Sequence, residues 1–110
     1  MNRHLGILIL LLAAVLEAGG DALIRVALHR HGLAARAAAF LLGAVVLFAY
    51  GYTVNAPAWD FGRLLGLYVV FFFVVAQVVS WLAFGQMPSR AILFGGSLIV
   101  SGGFVIAFLQ

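Results

Sequence analysis

LGILILLLAAVLEAGGDALIRVAL, residues 5–28, is the stretch that decides the fold. Apart from Glu17, Asp21 and Arg25 it is uncharged, and it is almost wholly apolar. A helical crossing of a bilayer needs about 20 predominantly apolar residues, so this stretch reads as a transmembrane helix from Leu5 to Leu28. The cluster His29, Arg30, His31, Gly32 is expected to end it, because cations suit a helix C-terminus and glycine can supply a left-handed stop. Working outward, a second span is expected from Ala34 to Val54, broken by Asn55, Ala56 and Pro57. Asp60 then reads as the N-cap of a third span over Leu64 to Phe84. Gly85, Gln86, Met87 and Pro88 make the next turn, and Ser89 caps a fourth span over residues 90–110. Short turns make successive helices antiparallel neighbours.

Composition agrees with this division. The chain has 110 residues, 66% hydrophobic and only 8% charged, where a soluble domain carries roughly a quarter charged residues. Four spans use about 80 residues, so residues 1–110 are expected to form one four-helix transmembrane domain with no soluble domain beside it. Isolated β-spans leave unsatisfied edges in lipid, and the alternation of barrel strands is missing. Met1 to Ala22 has an alternative reading as a signal peptide. Its apolar run is too long for that, however, and Glu17 stands where a cleavage motif needs small neutral residues. Without cysteine, thiolate metal sites and disulfides are excluded. The net charge of +3 comes from dispersed arginines, not a basic stripe, so no nucleic-acid partner is expected. Arg3 and Arg63 fall on one side of the membrane and Arg25, Arg30, Arg36 and Arg90 on the other. This weak bias favours both termini outside, and it permits insertion both ways.

Three acidic residues have different standing. Asp60, in a loop beside Trp59 and Arg63, reads as a helix cap. Asp21 and Arg25, four apart, share a helix face; they suit a salt bridge near the interface, with a polar contribution to a pocket as the alternative. Glu17 lies near the middle of its span, where a charge costs at least ~2.5–3.5 kcal/mol, and no cation is close to it on its own helix. A neutral glutamic acid bonded to a neighbouring helix is one reading. Reversible binding of a proton or cation is the other, and the one adopted. Gln77 and Ser80 are read as helix–helix hydrogen-bonding groups. Tyr68 is either an interfacial anchor or a pocket wall. Trp59 and Trp81 read as belt residues. His29 and His31 lack helical metal-ligand spacing, so neither a metal nor another cofactor is expected. In the fourth span, Gly95 and Gly102 (seven apart) and Ser97 and Ser101 (four apart) put small residues where another helix can approach. Because four helices enclose little room for a ligand, a dimer interface through this span is expected.

These features resemble the small multidrug resistance family of the drug/metabolite transporter superfamily, over nearly the whole chain. Leu16-Glu17-Ala18-Gly19-Gly20 leading to Arg25 is similar to the family's first-helix signature. Ser80-Trp81-Leu82-Ala83-Phe84-Gly85-Gln86 resembles the end of its third helix, and the Gly95-to-Gly102 spacing resembles its fourth-helix dimerisation motif. The resemblance implies an antiparallel homodimer in the inner (plasma) membrane. One Glu17 from each subunit would face a shared chamber in which protons and substrate compete. It also puts Tyr68 at the family's pocket tryptophan, keeping an aromatic wall for a cation. The departures are definite. Val69-Val70-Phe71-Phe72 replaces a glycine-containing kink, Leu65 stands where the family has a tyrosine, and Asp21 replaces a small polar residue. Gly62-Arg63 is similar to a separate, uncharacterised branch of four-helix membrane proteins.

The expected function is therefore proton-coupled export of small organic cations, with Glu17 as the exchanging group and Tyr68 and Asp21 beside it. The alternatives are a flippase for an amphipathic or lipid-linked substrate, and a non-transporting subunit that packs on a larger membrane protein. An enzyme is not expected, because no nucleophile–base pair or metal constellation stands out.

Overall fold

A computed structural model describes residues 3–109, all but the turns helical. Met1, Asn2 and Gln110, which belong to the expected 1–110 domain and the end of its fourth span, lie outside the described residues. Four helices follow in order: α1 (Arg3–His29), α2 (Leu33–Val54), α3 (Phe61–Phe84) and α4 (Arg90–Leu109). No strand occurs among the described residues. At 1.5 Å per residue the helices run from about 30 to about 40 Å, and all four are long and apolar enough to cross a membrane. Their outer surface is apolar too: Leu8, Leu12, Phe48, Leu82, Phe94 and Leu98 are all exposed. So much apolar surface is tolerated only against lipid. The protein is an all-α integral membrane protein.

The turns show how the sequence ends each helix. Gly85, at φ 65°, closes α3 in the left-handed conformation that a Cβ disfavours. Its N–H donates to Trp81 O at 3.0 Å and that of Gln86 donates to Ser80 O at 3.1 Å, so that backbone bonds from the turn take up carbonyls at the end of the helix. Ser89 caps α4 by accepting from the Ile92 N–H at 3.2 Å. Asn55 ends α2 by donating its side-chain amide to Gly51 O at 2.8 Å.

Two expectations need correction here. Gly32 does not stop α1: the helix ends at His29, and Gly32, at φ 95°, opens α2. Arg36 instead reaches back from α2 and donates to Ala27 O at 3.2 Å, satisfying a carbonyl of the last turn of α1. Asp60 does occupy the N-cap position of α3, but its side chain makes no capping bond. The Leu64 N–H goes to its backbone carbonyl at 2.8 Å.

Lipid gives helices no hydrophobic reason to associate, so close packing must hold them together. α1 packs against both α2 and α3, and α4 lies along α3. Glycines make these approaches. A Cβ at Gly20 would lie 2.6 Å from Leu47 Cδ2, and one at Gly43 2.8 Å from Ile24 Cδ1, so α1 and α2 meet at backbone distance. On α4, Gly96 faces Phe73 and Gly103 faces Val70. The core of Leu10, Ala13, Ala14, Val54, Leu64 and Tyr68 gathers where α1, α2 and α3 meet. The whole is a thin slab of 51 × 34 × 19 Å, with α4 at its edge.

Candidate functional site

Glu17 falls one residue past the midpoint of α1 and is half-buried. Its helical phase, shared with Leu10, Ala14 and Asp21, turns it towards α3. There Tyr68, only 4% exposed, donates its phenolic hydrogen to Glu17 Oε1 at 2.8 Å. Two residues separated by 51 positions are thus joined at the centre of the bundle. Of the two readings of Tyr68, burial excludes the interfacial anchor. The partner that α1 cannot supply to Glu17 comes from α3.

Around this bond the structure builds an aromatic corner. The Tyr50 ring, from α2, lies 5.7 Å from that of Tyr68, tilted by 33°. Phe72, one turn further along α3, lies 6.2 Å from Tyr68, tilted by 30°. Tyr50 was not singled out from the sequence because it sits close to the end of its span, next to Tyr52, where aromatic residues commonly mark the interface. The signal available was their spacing. Two positions along a helix turn through about 200°, so one tyrosine of the pair faces inward when the other faces lipid. Tyr52 is 77% exposed and Tyr50 is packed against the core.

Asp21 stands one turn beyond Glu17 on the same face, and it is exposed on this chain. The expected salt bridge is absent: among the described residues no ion pair joins Asp21 to Arg25. The Arg25 guanidinium lies instead over the Phe84 ring, 5.5 Å from its centre. A cation–π contact near the end of α1 leaves the Asp21 carboxylate without a cation. Asp21, Arg25, Phe72, Ser80 and Gln86 line a recess of ≈ 270 Å³ between α1 and α3. Ser80 also departs from expectation. Its hydroxyl serves the turn after α3, 3.3 Å from Gln86 Oε1 and 3.4 Å from Gln86 O, and it does not join another helix. Gln77 makes no hydrogen bond among the described residues.

The residues predicted for the dimer contact fall elsewhere. Nothing lies within 4 Å of a Cβ built at Gly95 or Gly102, whereas their neighbours Gly96 and Gly103 are covered by α3. The serines are satisfied within α4: Ser97 donates to Leu93 O at 2.9 Å and Ser101 to Ser97 O at 2.7 Å. A larger opening than expected, ≈ 510 Å³, lies at the opposite end from Asp21, between α1, α3 and α4; Glu17 is not on its wall.

Fold and site together define a small integral membrane protein of four apolar helices with a hydrogen-bonded carboxylate in mid-span. Over 70 residues the chain is 31% identical to a UPF0060 membrane protein of Herpetosiphon aurantiacus. The alignment takes in 62% of this chain and 64% of that relative, so the chain spans less than two thirds of its length. No family model matches the chain, and no solved structure matches it.

Proposed function

We propose that this protein is a proton-coupled secondary transporter that exports small organic cations across the inner membrane, as the resemblance to small multidrug resistance proteins implies. The observation that carries the reading is the Tyr68–Glu17 hydrogen bond at 2.8 Å in mid-span. A carboxylate held there, facing two tyrosine rings and with a second carboxylate one turn away, suits a site that takes up either a proton or an organic cation. Charge attracts the cation, and the half-buried Tyr50 ring, packed beside Tyr68, adds cation–π attraction. The phenol keeps the ionised carboxylate from being unpaired while the site is empty.

The shape supports an antiparallel homodimer. In a slab 19 Å thin, Asp21 is exposed at a level where exposure means lipid, and a second copy would turn that face into a chamber wall. The open Gly95–Gly102 face offers the place for close helix contact. On this reading the protein makes and breaks no covalent bond and needs no cofactor; its partners are lipid, protons, substrate and a second copy of itself.

The test is flux or solid-supported-membrane current in reconstituted vesicles across a panel of organic cations, with wild type beside Glu17→Gln. Wild type should show cation flux driven by a proton gradient, and the variant should lose the coupling. Gradient-driven flux that survives Glu17→Gln would remove the basis of the proposal.

A further inference from the structure

The large cleft and its two arginines are not used by the proposed transport site. Arg3 is the first described residue of α1 and Arg63 lies in the first turn of α3; both line the cleft's mouth and both are exposed. The Arg3 guanidinium is set over the Phe108 ring, 5.7 Å from its centre. No acidic side chain lines the cleft, and neither arginine forms an ion pair among the described residues. Below the mouth the walls are apolar: Ile7 and Leu10 on α1, Val70 and Phe71 on α3, Phe104 and Ala107 on α4. Trp59 packs over Gly6 and borders the cleft at the loop end.

The vertical order of these groups identifies the occupant. Helix ends lie at the headgroup level and the next turns lie in hydrocarbon. The cleft therefore offers two cations at headgroup depth and an apolar channel directly beneath. An anionic phospholipid has the same order of parts. The opening is lateral, because α4 is packed along α3 and Phe104 and Phe108 on its near flank stay 60% and 66% exposed. A second copy docked on Gly95 and Gly102 would not cover it. At 3.6 residues per turn those glycines lie on the other flank of α4 from Val100, Phe104 and Ala107, with the α3-facing Gly96 and Gly103 between them. Basic pockets between transmembrane helices are known to hold lipid headgroups.

We propose that the cleft between α1 and α4 binds an anionic phospholipid of the surrounding bilayer, its phosphate held between Arg3 and Arg63 and an acyl chain lying against Ile7, Val70 and Ala107. The site is separate from Glu17, and its occupancy does not depend on whether the protein transports cations.

Trp59 reports on the cleft directly. In full-length protein carrying Trp81→Phe, reconstituted into nanodiscs, Trp59 fluorescence is measured against increasing fractions of brominated phosphatidylglycerol or brominated phosphatidylcholine. Phosphatidylglycerol should quench at lower mole fraction. The preference should fall roughly fivefold for each arginine in Arg3→Gln and Arg63→Gln, and it should be unchanged in Arg90→Gln at the other end of the bundle. Ala107→Phe, which keeps both arginines and fills the channel, should also remove the preference. Equal quenching by the two lipids in the wild-type background overturns the proposal, as does a preference that survives the double arginine substitution. A preference retained in Ala107→Phe overturns it too, because diffuse attraction to a basic surface would then suffice. Trp59 inaccessible to both lipids would mean that another protein surface, such as a second copy, fills the cleft, and the proposal would fail.

Discussion

At the residue scale the proposed site rests on the Tyr68–Glu17 hydrogen bond, whose strength can be isolated. A hydrogen bond to a charged group contributes about 1.5–3 kcal/mol, against about 0.5–1.5 kcal/mol for a neutral pair. In a double-mutant cycle of Tyr68→Phe and Glu17→Ala, followed by unfolding in mixed micelles, the coupling should be at least about 1 kcal/mol if the bond at 2.8 Å persists in solution. Additive single effects would mean that the two side chains do not meet. Tyr68→Phe keeps the ring beside Tyr50, so it should retain cation affinity better than Tyr68→Ala, a comparison that titration with a fluorescent organic cation can make. Glu17 itself was legible in the sequence, because a lone carboxylate in an apolar run carries a cost that demands a reason. Its partner was legible only as one of two readings of Tyr68, since choosing between them requires knowing which face of α3 meets α1. The same lack of facing information hid Tyr50. It also let Arg25 be paired with Asp21 at helical spacing, when an aromatic ring 59 positions away competes for it.

At the scale of the helices, the number and order of the spans followed from length and hydropathy alone, because lipid leaves the backbone almost no other way to satisfy its hydrogen bonds. Their ends were less legible. Gly85 and Ser89 act where the sequence suggested, whereas Gly32 and Asp60 sit at helix starts without doing what their residue types led one to expect. A cap depends on local φ and ψ that composition does not determine. The paired glycines of α4 offer a sharper test of how the elements pack. A Cβ at Gly96 would come within 2.5 Å of Phe73 Cε1, while one at Gly95 meets nothing within 4 Å. Gly96→Ala should therefore force Phe73 or α4 to shift and cost about 1–3 kcal/mol, and Gly95→Ala, at micelle excess that keeps the protein monomeric, should stay within about 0.5 kcal/mol of wild type. Unfolding of the two variants in the same micelles makes the comparison. Equal effects would show that α4 presents a different face to α3.

For the molecule as a whole, the question is what covers the face on which Glu17 is half-buried and Asp21 exposed. If α4 pairs with α4 of a second copy through Gly95 and Gly102, Gly102→Leu should reduce the crosslinked dimer in detergent while leaving the helical content of the monomer intact, since among the described residues nothing lies within 4 Å of a Cβ there. Orientation is the harder part, and the arginines set it. Arg3 and Arg63 oppose Arg30, Arg36 and Arg90, but Arg36 lies within the first turn of α2 and is engaged with Ala27 O, and Arg25 lies within α1 over Phe84. The remaining imbalance is slight, and orientation follows the loop charge difference. Cysteines introduced singly at His31 and at Ala58, in loops on opposite sides, should each react with a membrane-impermeant maleimide on intact cells for a fraction of the molecules, and the chain's own lack of cysteine keeps the background clean. A lysine at His31 should bias the chain to one orientation and a lysine at Ala58 to the other. An antiparallel dimer then makes a demand that a parallel dimer or a monomer does not. Each biased variant expressed alone should lose cation export, and expressing the two together should restore it. Full export by either variant alone would exclude the antiparallel arrangement, and the chamber wall opposite Glu17 would have to come from a parallel copy or from a different protein.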